Sequence, residues 1–310
     1  MAESQSKSDG FTAFVAGISQ KHISLTGRLV GMVAYFLDSR HRRIVKRNLH
    51  FAHPQWPPNR IRRLAKRVFQ SVGVTFAEIC QMTCFSTEDI VRRVRIKGEE
   101  NLLSCMKSPK GVILISAHLG NWEMAHLSAS CYLQKPLVLV ARRIEWQRLD
   151  RWMNNLRSRF GSVVLDKRHA LGRMARALKG GGVLGLLIDQ GTRQSEGVEV
   201  RFFGRTTTAT PAAALLARRY KSVVLPAFCV REKDGRLTLV VEAPLSLQRT
   251  QDPGADLREN TQRMTSALEA AVRANPEQWF WFHKRWKRHY PYLYREDLAV
   301  RRRRKEKRKA

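Results

Sequence analysis

The sequence predicts an α/β fold, a mainly parallel mixed sheet flanked by helices and preceded by a helical amino-terminal region. Three observations predict it. From about residue 98, short branched apolar runs alternate with helical segments, the pattern of a parallel sheet covered on both faces. One run, Val112 to Ala117, is apolar almost throughout and reads as a strand buried on both sides. By contrast, residues 11 to about 83 show only helical periodicity.

The elements follow in order. Pro54, Pro57 and Pro58 break the amino-terminal helices, and Asn59 is a candidate cap for a helix over Arg60–Met82. Glu99–Lys107 reads as a helix, Val112–Ala117 as a strand and Trp122–Leu133 as a helix. Leu137–Ala141 and Val163–Leu165 are strands flanking a helix over Glu145–Phe160. A helix over Ala170–Lys179 leads to a strand over Val183–Ile188. Pro211–Tyr220 is a helix with proline in its first turn. Strands Val223–Val230 and Leu237–Val241 are joined by a turn at Lys233-Asp234-Gly235, so the sheet acquires an antiparallel strand late in the chain. Ala255–Ala274 is a long helix. The expected organisation is a disordered 1–10, a helical region over 11–95, an α/β core over 96–295 and a basic disordered tail over 296–310.

Composition narrows the partners. The chain has 310 residues, 43% of them apolar, enough for a substantial core, and a formal charge of +31. Such a balance calls for an anionic partner: nucleic acid, an anionic membrane surface or an acidic substrate. Between Asp38 and Glu78 there are ten lysines and arginines and no acidic residue. Five cysteines without metal-ligand spacing predict reduced thiols and no zinc site. Phe11–Leu37 is largely apolar with only Lys21 and Arg28 charged, too interrupted for a confident span but open to a tilted, imperfect one. Joined to the basic stretch that follows, it suits a helix lying on an anionic bilayer, or else a plain core helix. The absence of a nucleic-acid motif and of aromatics interleaved with the basic residues argues against a nucleic-acid-binding protein, the rival of a different class.

The chemistry is concentrated in His118-Leu-Gly-Asn-Trp-Glu123. His118 falls at a strand's carboxyl end, where open α/β sheets place their sites. A turn over Leu119-Gly120-Asn121, with Asn121 as N-cap, puts Glu123 in the first turn of the next helix. Its carboxylate is then placed to orient the imidazole, although an ordinary polar pair at a sheet edge has the same spacing. With no serine elbow in the chain, the expected nucleophile is a substrate hydroxyl. Other candidates also lie at strand ends or just beyond. Asp189 ends a second buried strand, Arg142 and Arg143 follow a third, and Arg157 closes a helix; the arginines suit phosphate or carboxylate. Gly180-Gly-Gly182-Val-Leu-Gly185 matches a dinucleotide pattern but stands after a helix and before a strand, the reverse of that fingerprint.

The string His-Leu-Gly-Asn-Trp-Glu resembles the catalytic motif of the late acyltransferases of lipid A biosynthesis, within the glycerolipid acyltransferase superfamily whose signature is His-x4-Asp/Glu. The resemblance runs from about residue 20 to 290. It includes Ala141-Arg-Arg143, Arg157-Ser-Arg-Phe-Gly161, Asp189, Phe202-Phe-Gly204-Arg205 and Pro276-Glu-Gln-Trp-Phe-Trp-Phe-His283-Lys-Arg-Trp-Lys287. It implies His118 as general base with Glu123 as its partner, and Arg157, Asp189, Arg142, Arg143 and Asn121 as substrate-binding residues. It implies transfer of an acyl chain from acyl-carrier protein to a hydroxyl of a phosphorylated lipid A precursor, without metal or other cofactor. The expected location is the cytoplasmic face of a bacterial inner membrane, on anionic lipid. The resemblance leaves open another glycolipid acceptor, such as a phosphatidylinositol mannoside, or a lysophospholipid. The aromatic group Trp279–Phe282 reads either as core or as an interfacial anchor.

Overall fold

The computed structural model describes residues 15–107, 109–141, 143–166 and 170–295. The two ends expected to be disordered, with the basic tail, lie outside the described residues, as does Arg142.

Among the described residues, three long helices lead the amino-terminal region. Helix α1 spans Gln20–Leu37, α2 Ser39–Ala52 and α3 Pro58–Met82. Ser19 and Asp38 cap the first two, each side chain accepting an N–H of the opening turn. The third starts earlier than expected. Pro58 occupies the first turn, where its missing N–H costs nothing, so Asn59 is inside the helix and caps nothing. A short helix α4 (Thr87–Arg93), opened by a Ser86/Asp89 capping box, leads into strand β1 (Val94–Lys97).

The rest alternates as α5 (Glu99–Met106), β2 (Val112–Ser116), α6 (Trp122–Leu133), β3 (Leu137–Ala141), α7 (Gln147–Arg159), β4 (Val163–Asp166), α8 (Ala170–Lys179) and β5 (Val183–Leu187). A hairpin β6 (Val198–Phe202) and β7 (Arg205–Ala209) follows, then α9 (Ala212–Tyr220), β8 (Val223–Arg231), β9 (Leu237–Val241) and α10 (Pro253–Ala274). The seven-stranded sheet has the order β1-β9-β8-β2-β5-β3-β4. β9 is antiparallel to β8 and parallel to β1, so β1 and β9, at one end of the sheet, oppose the direction of the other five. The triglycine ends α8, and Gly185 lies against Leu139, so the run serves packing.

The chain leaves β2 toward β3 on one side and leaves β5 toward β8 on the other. The carboxyl ends of the adjacent strands β2 and β5 therefore form the switch point of the sheet, where loops diverge and leave a crevice. Strand alternation splits the core between two faces. Ile113 and Ile115 point into one cluster with α3, α9 and α10; Val112 and Leu114 point into the other with α6. Trp279, Trp281 and Trp286 are fully buried in the first cluster, so this aromatic group is mostly core.

Helices α1 and α3 cross through glycines. A Cβ on Gly27 would lie 2.4 Å from Val74 Cα, and one on Gly73 would lie 2.2 Å from the Gly27 carbonyl. The opposite face of α1 is apolar yet exposed: Leu25, Leu29, Val30, Val33, Phe36 and Leu37 are 52–79% accessible. Among the described residues, no helix is long and apolar enough to cross a membrane. Gly73→Ala is expected to lose about 1–3 kcal/mol by overpacking, although intrinsic propensity favours alanine in a helix by about 1 kcal/mol. Chemical denaturation checks this, and an unchanged midpoint would refute the close crossing.

Candidate active site

The sheet register brings the first two residues together. Ser116 pairs with Leu187 at the ends of β2 and β5, and Ile188 N–H donates to the Ser116 carbonyl at 3.1 Å. Two residues beyond Ser116 and Leu187, His118 and Asp189 meet side by side. Asp189 Oδ1 lies 2.8 Å from His118 Nδ1, while Oδ2 accepts the His118 backbone N–H at 3.0 Å. Trp279 Nε1 donates to the same Oδ2 at 2.9 Å. Asp189, expected among the substrate-binding residues, is 3% accessible, and its carboxylate is taken up by His118 and Trp279.

The ring keeps its other nitrogen for chemistry. The His118 side chain is 21% accessible, and Nε2 makes no hydrogen bond among the described residues. The rings of Trp122 and Phe280 stand 5.3 and 6.1 Å from the imidazole, as an apolar rim around it. Burial alone pulls the imidazole pKa down. The charge and hydrogen bond of Asp189 outweigh it, with Glu123 adding to the rise and Arg157 opposing, so the pKa ends above its ordinary value. Asp189 is itself held well below the carboxylate range: burial opposes ionisation, but His118 and Trp279 favour it more.

Glu123 differs from the expectation. It lies in the first turn of α6, as the spacing required, but its hydrogen bonds go elsewhere. Arg157 Nε and Nη2 grip its two oxygens at 2.9 and 2.6 Å, and His126 Nε2 stands 3.0 Å from Oε2. Burial raises the Glu123 pKa, and this bidentate pair more than reverses the rise, so the carboxylate stays ionised. It holds Arg157, which closes α7 and whose charge reaches His118. Arg159, two residues beyond Arg157, donates to the Thr83 carbonyl.

Asn121 and Arg143 sit in contrasting surroundings. Asn121 is the N-cap of α6, its Oδ1 accepting the Met124 N–H at 2.9 Å, but it is wholly buried and out of a ligand's reach. Arg143 is 81% accessible and pairs with Asp166 at 3.0 Å on the surface.

The loop after α10 closes the site from below. Leu119 and Trp279 form a β-bridge, Phe280 N–H donates to the His118 carbonyl at 2.9 Å, and Gly120 N–H donates to the Gln278 carbonyl at 3.0 Å. Gly120 has φ +60°, and a Cβ there would sit 2.1 Å from the Cys229 carbonyl, so only glycine fits this turn. The buried Arg285 donates to the Asp189 carbonyl. His283, pushed down to about 4 by burial, stays neutral near the pair. The pattern of the sequence named neither Trp279 as a donor nor Arg285; each acts through a partner some 90 positions away.

In Asp189→Asn, the loss of the neighbouring charge leaves burial dominant, so His118 is expected to titrate at lower pH than in the wild type. Histidine-labelled NMR measures the shift directly; an unmoved titration would contradict the assigned pair.

Comparison with known proteins agrees with this layout. The family model for bacterial lipid A biosynthesis acyltransferases matches residues 10–288. The chain is 25% identical over 260 residues to the lipid A biosynthesis lauroyltransferase of Escherichia coli (strain K12), covering 83% of each protein. It is 22% identical over 265 residues to the lipid A biosynthesis palmitoleoyltransferase of the same strain, covering 84% of this chain and 83% of that protein. A phosphatidylinositol mannoside acyltransferase of Mycolicibacterium smegmatis (strain ATCC 700084 / mc(2)155) is 26% identical over 194 residues, 60% of each chain. A family match over residues 10–288 makes the chain a member of the bacterial lipid A biosynthesis acyltransferase family.

Proposed function

We propose that the protein transfers a fatty acyl chain from acyl-carrier protein to a hydroxyl of a phosphorylated lipid A precursor, with His118 as general base. One observation carries the reading. The Asp189–His118 pair directs Nε2 to the opening, and no serine, threonine or cysteine bonds to that nitrogen among the described residues. The attacking hydroxyl then belongs to the acceptor.

In this mechanism Nε2 takes the acceptor's proton as its oxygen attacks the thioester carbonyl. Asp189 steadies the imidazolium. The C–O bond forms, the C–S bond breaks, and the thiolate of the carrier recovers the proton from Nε2. Arg157, held by Glu123, and the backbone N–H of Trp122 are the donors for the developing oxyanion. The amides of Gly120 and Asn121 are already given to Gln278 and Cys229. The Trp122–Phe280 rim offers the acyl chain an apolar approach.

The surroundings support a bilayer as the workplace. The apolar outward face of α1 suits shallow burial in lipid, and the basic residues of α2 and α3 suit anionic headgroups. The charge of +31 also favours an acidic carrier protein and a phosphorylated acceptor. We propose the cytoplasmic face of a bacterial inner membrane as its location, with the amino-terminal helices against the lipid. A second reading, transfer to a phosphatidylinositol mannoside, draws on the relative acting on that lipid.

The test incubates protein-containing membranes with labelled acyl-carrier proteins and a tetra-acylated, Kdo-bearing lipid A precursor. Product is expected with the wild type and a loss of at least about 100-fold with His118→Ala, the scale of general-base catalysis. Undiminished transfer by the variant would falsify the base assignment. Product only with a mannosylated acceptor would favour the second reading. Separately, Leu29→Glu with Val33→Glu is expected to shift the protein from sedimenting anionic vesicles to the supernatant. Retention equal to wild type would reject α1 as the lipid-facing element.

A further inference from the structure

We propose that Glu78, in the amino-terminal helical region, is a positioning residue for the transfer reaction, acting through Asn121 and Arg231 on the turn between His118 and Glu123. The inference rests on the proposed function.

Glu78 projects from α3 and is 2% accessible. Its Oε2 accepts Asn121 Nδ2 at 3.0 Å and Arg231 Nη2 at 2.5 Å. Its Oε1 accepts Arg231 Nε at 2.9 Å and Gln20 Nε2 at 2.6 Å. One helical turn earlier, Thr75 Oγ1 donates to the Gly120 carbonyl at 2.8 Å and accepts from Arg231 Nη2 at 3.3 Å. The backbone of Arg231, at the end of β8, exchanges two hydrogen bonds of 2.8 Å with the Gln278 side chain. The carbonyl of Gln278 in turn accepts the Gly120 N–H.

This network grips the turn through the Gly120 carbonyl and the Asn121 side chain. Asn121 is the pivot. Its amide nitrogen answers Glu78 while its oxygen caps α6, so the carboxylate sets where the helix begins and where Trp122 and Glu123 stand. Arg231 is 7% accessible, and the ion pair is gathered into a polar network with every carboxylate oxygen satisfied. A buried ion pair contributes little net stability over apolar side chains of similar volume. The fold does not need this one for packing, but the turn requires its directed hydrogen bonds. Glu78 touches none of the reacting atoms.

The experiment measures kcat and KM for acyl transfer, thermal unfolding, and hydrogen exchange over residues 118–124. It compares the wild type with Glu78→Met/Arg231→Met, which leaves no uncompensated buried charge, and with Thr75→Val. In the double variant kcat is expected to fall about 100-fold from misplacement of the reacting groups, with KM held, unfolding still cooperative though at lower temperature because Asn121 Nδ2 loses its carboxylate acceptor, and exchange over 118–124 faster. Thr75→Val is expected to lower kcat about tenfold through loss of one aligning hydrogen bond. Wild-type kcat in a folded double variant, or a loss confined to KM, overturns the proposal. If the double variant does not fold, Thr75→Val decides: unchanged kcat and exchange overturn it. If the wild type itself transfers nothing, the functional reading fails, and exchange alone then decides. Faster exchange confined to 118–124 sustains the positioning role, and unchanged exchange removes it.

Discussion

The site depends on one carboxylate accepting three N–H groups. Asp189 takes the His118 ring, the His118 backbone and the Trp279 indole at once. Those contacts join the carboxyl ends of two parallel strands to the loop that follows α10. A buried, ionised carboxylate is costly unless each oxygen is matched. Here the matching groups are those that transfer chemistry needs in register. The same contacts that keep Asp189 charged raise the affinity of His118 for a proton and direct its free nitrogen outward. Sheet register, indole packing and base strength thus follow from a single constraint.

A second carboxylate works in parallel. Glu123 secures Arg157, so one acid orients the imidazole and the other orients a cation near it. The pair of acids divides the task that the spacing of the motif assigns to Glu123 alone. Two carboxylates, two partners and one crevice make a site whose charges are placed before substrate arrives.

Much of this was legible in the chain because it is local. The N-cap at Asn121, the strand ending before His118, the helix from Trp122 to Leu133 and the late antiparallel strand all follow from short-range pattern. The partner of His118 was not legible, because Asp189 lies 71 positions away and reaches it only through the pairing of β2 with β5. Spacing made Glu123 the visible candidate, whereas register made Asp189 the neighbour. The hairpin Val198–Ala209 escaped notice since its turn is Phe203-Gly204, with both φ angles positive, and a phenylalanine is an uncommon residue there. β1 is only four residues long and alternates weakly. The glycines joining α1 to α3 are spaced as helix-packing residues, but their partners are visible only in three dimensions.

That glycine crossing has a mechanical consequence. With backbone against backbone, α1 has no hinge of side chains on which to swing away from α3. If its outward face beds in lipid, the whole catalytic body must settle with it. The height of His118 above the hydrocarbon would then be a built-in dimension of the fold, and the enzyme would gauge how far up its acceptor a hydroxyl lies much as a fixed-depth stop on a drill sets the depth of the hole.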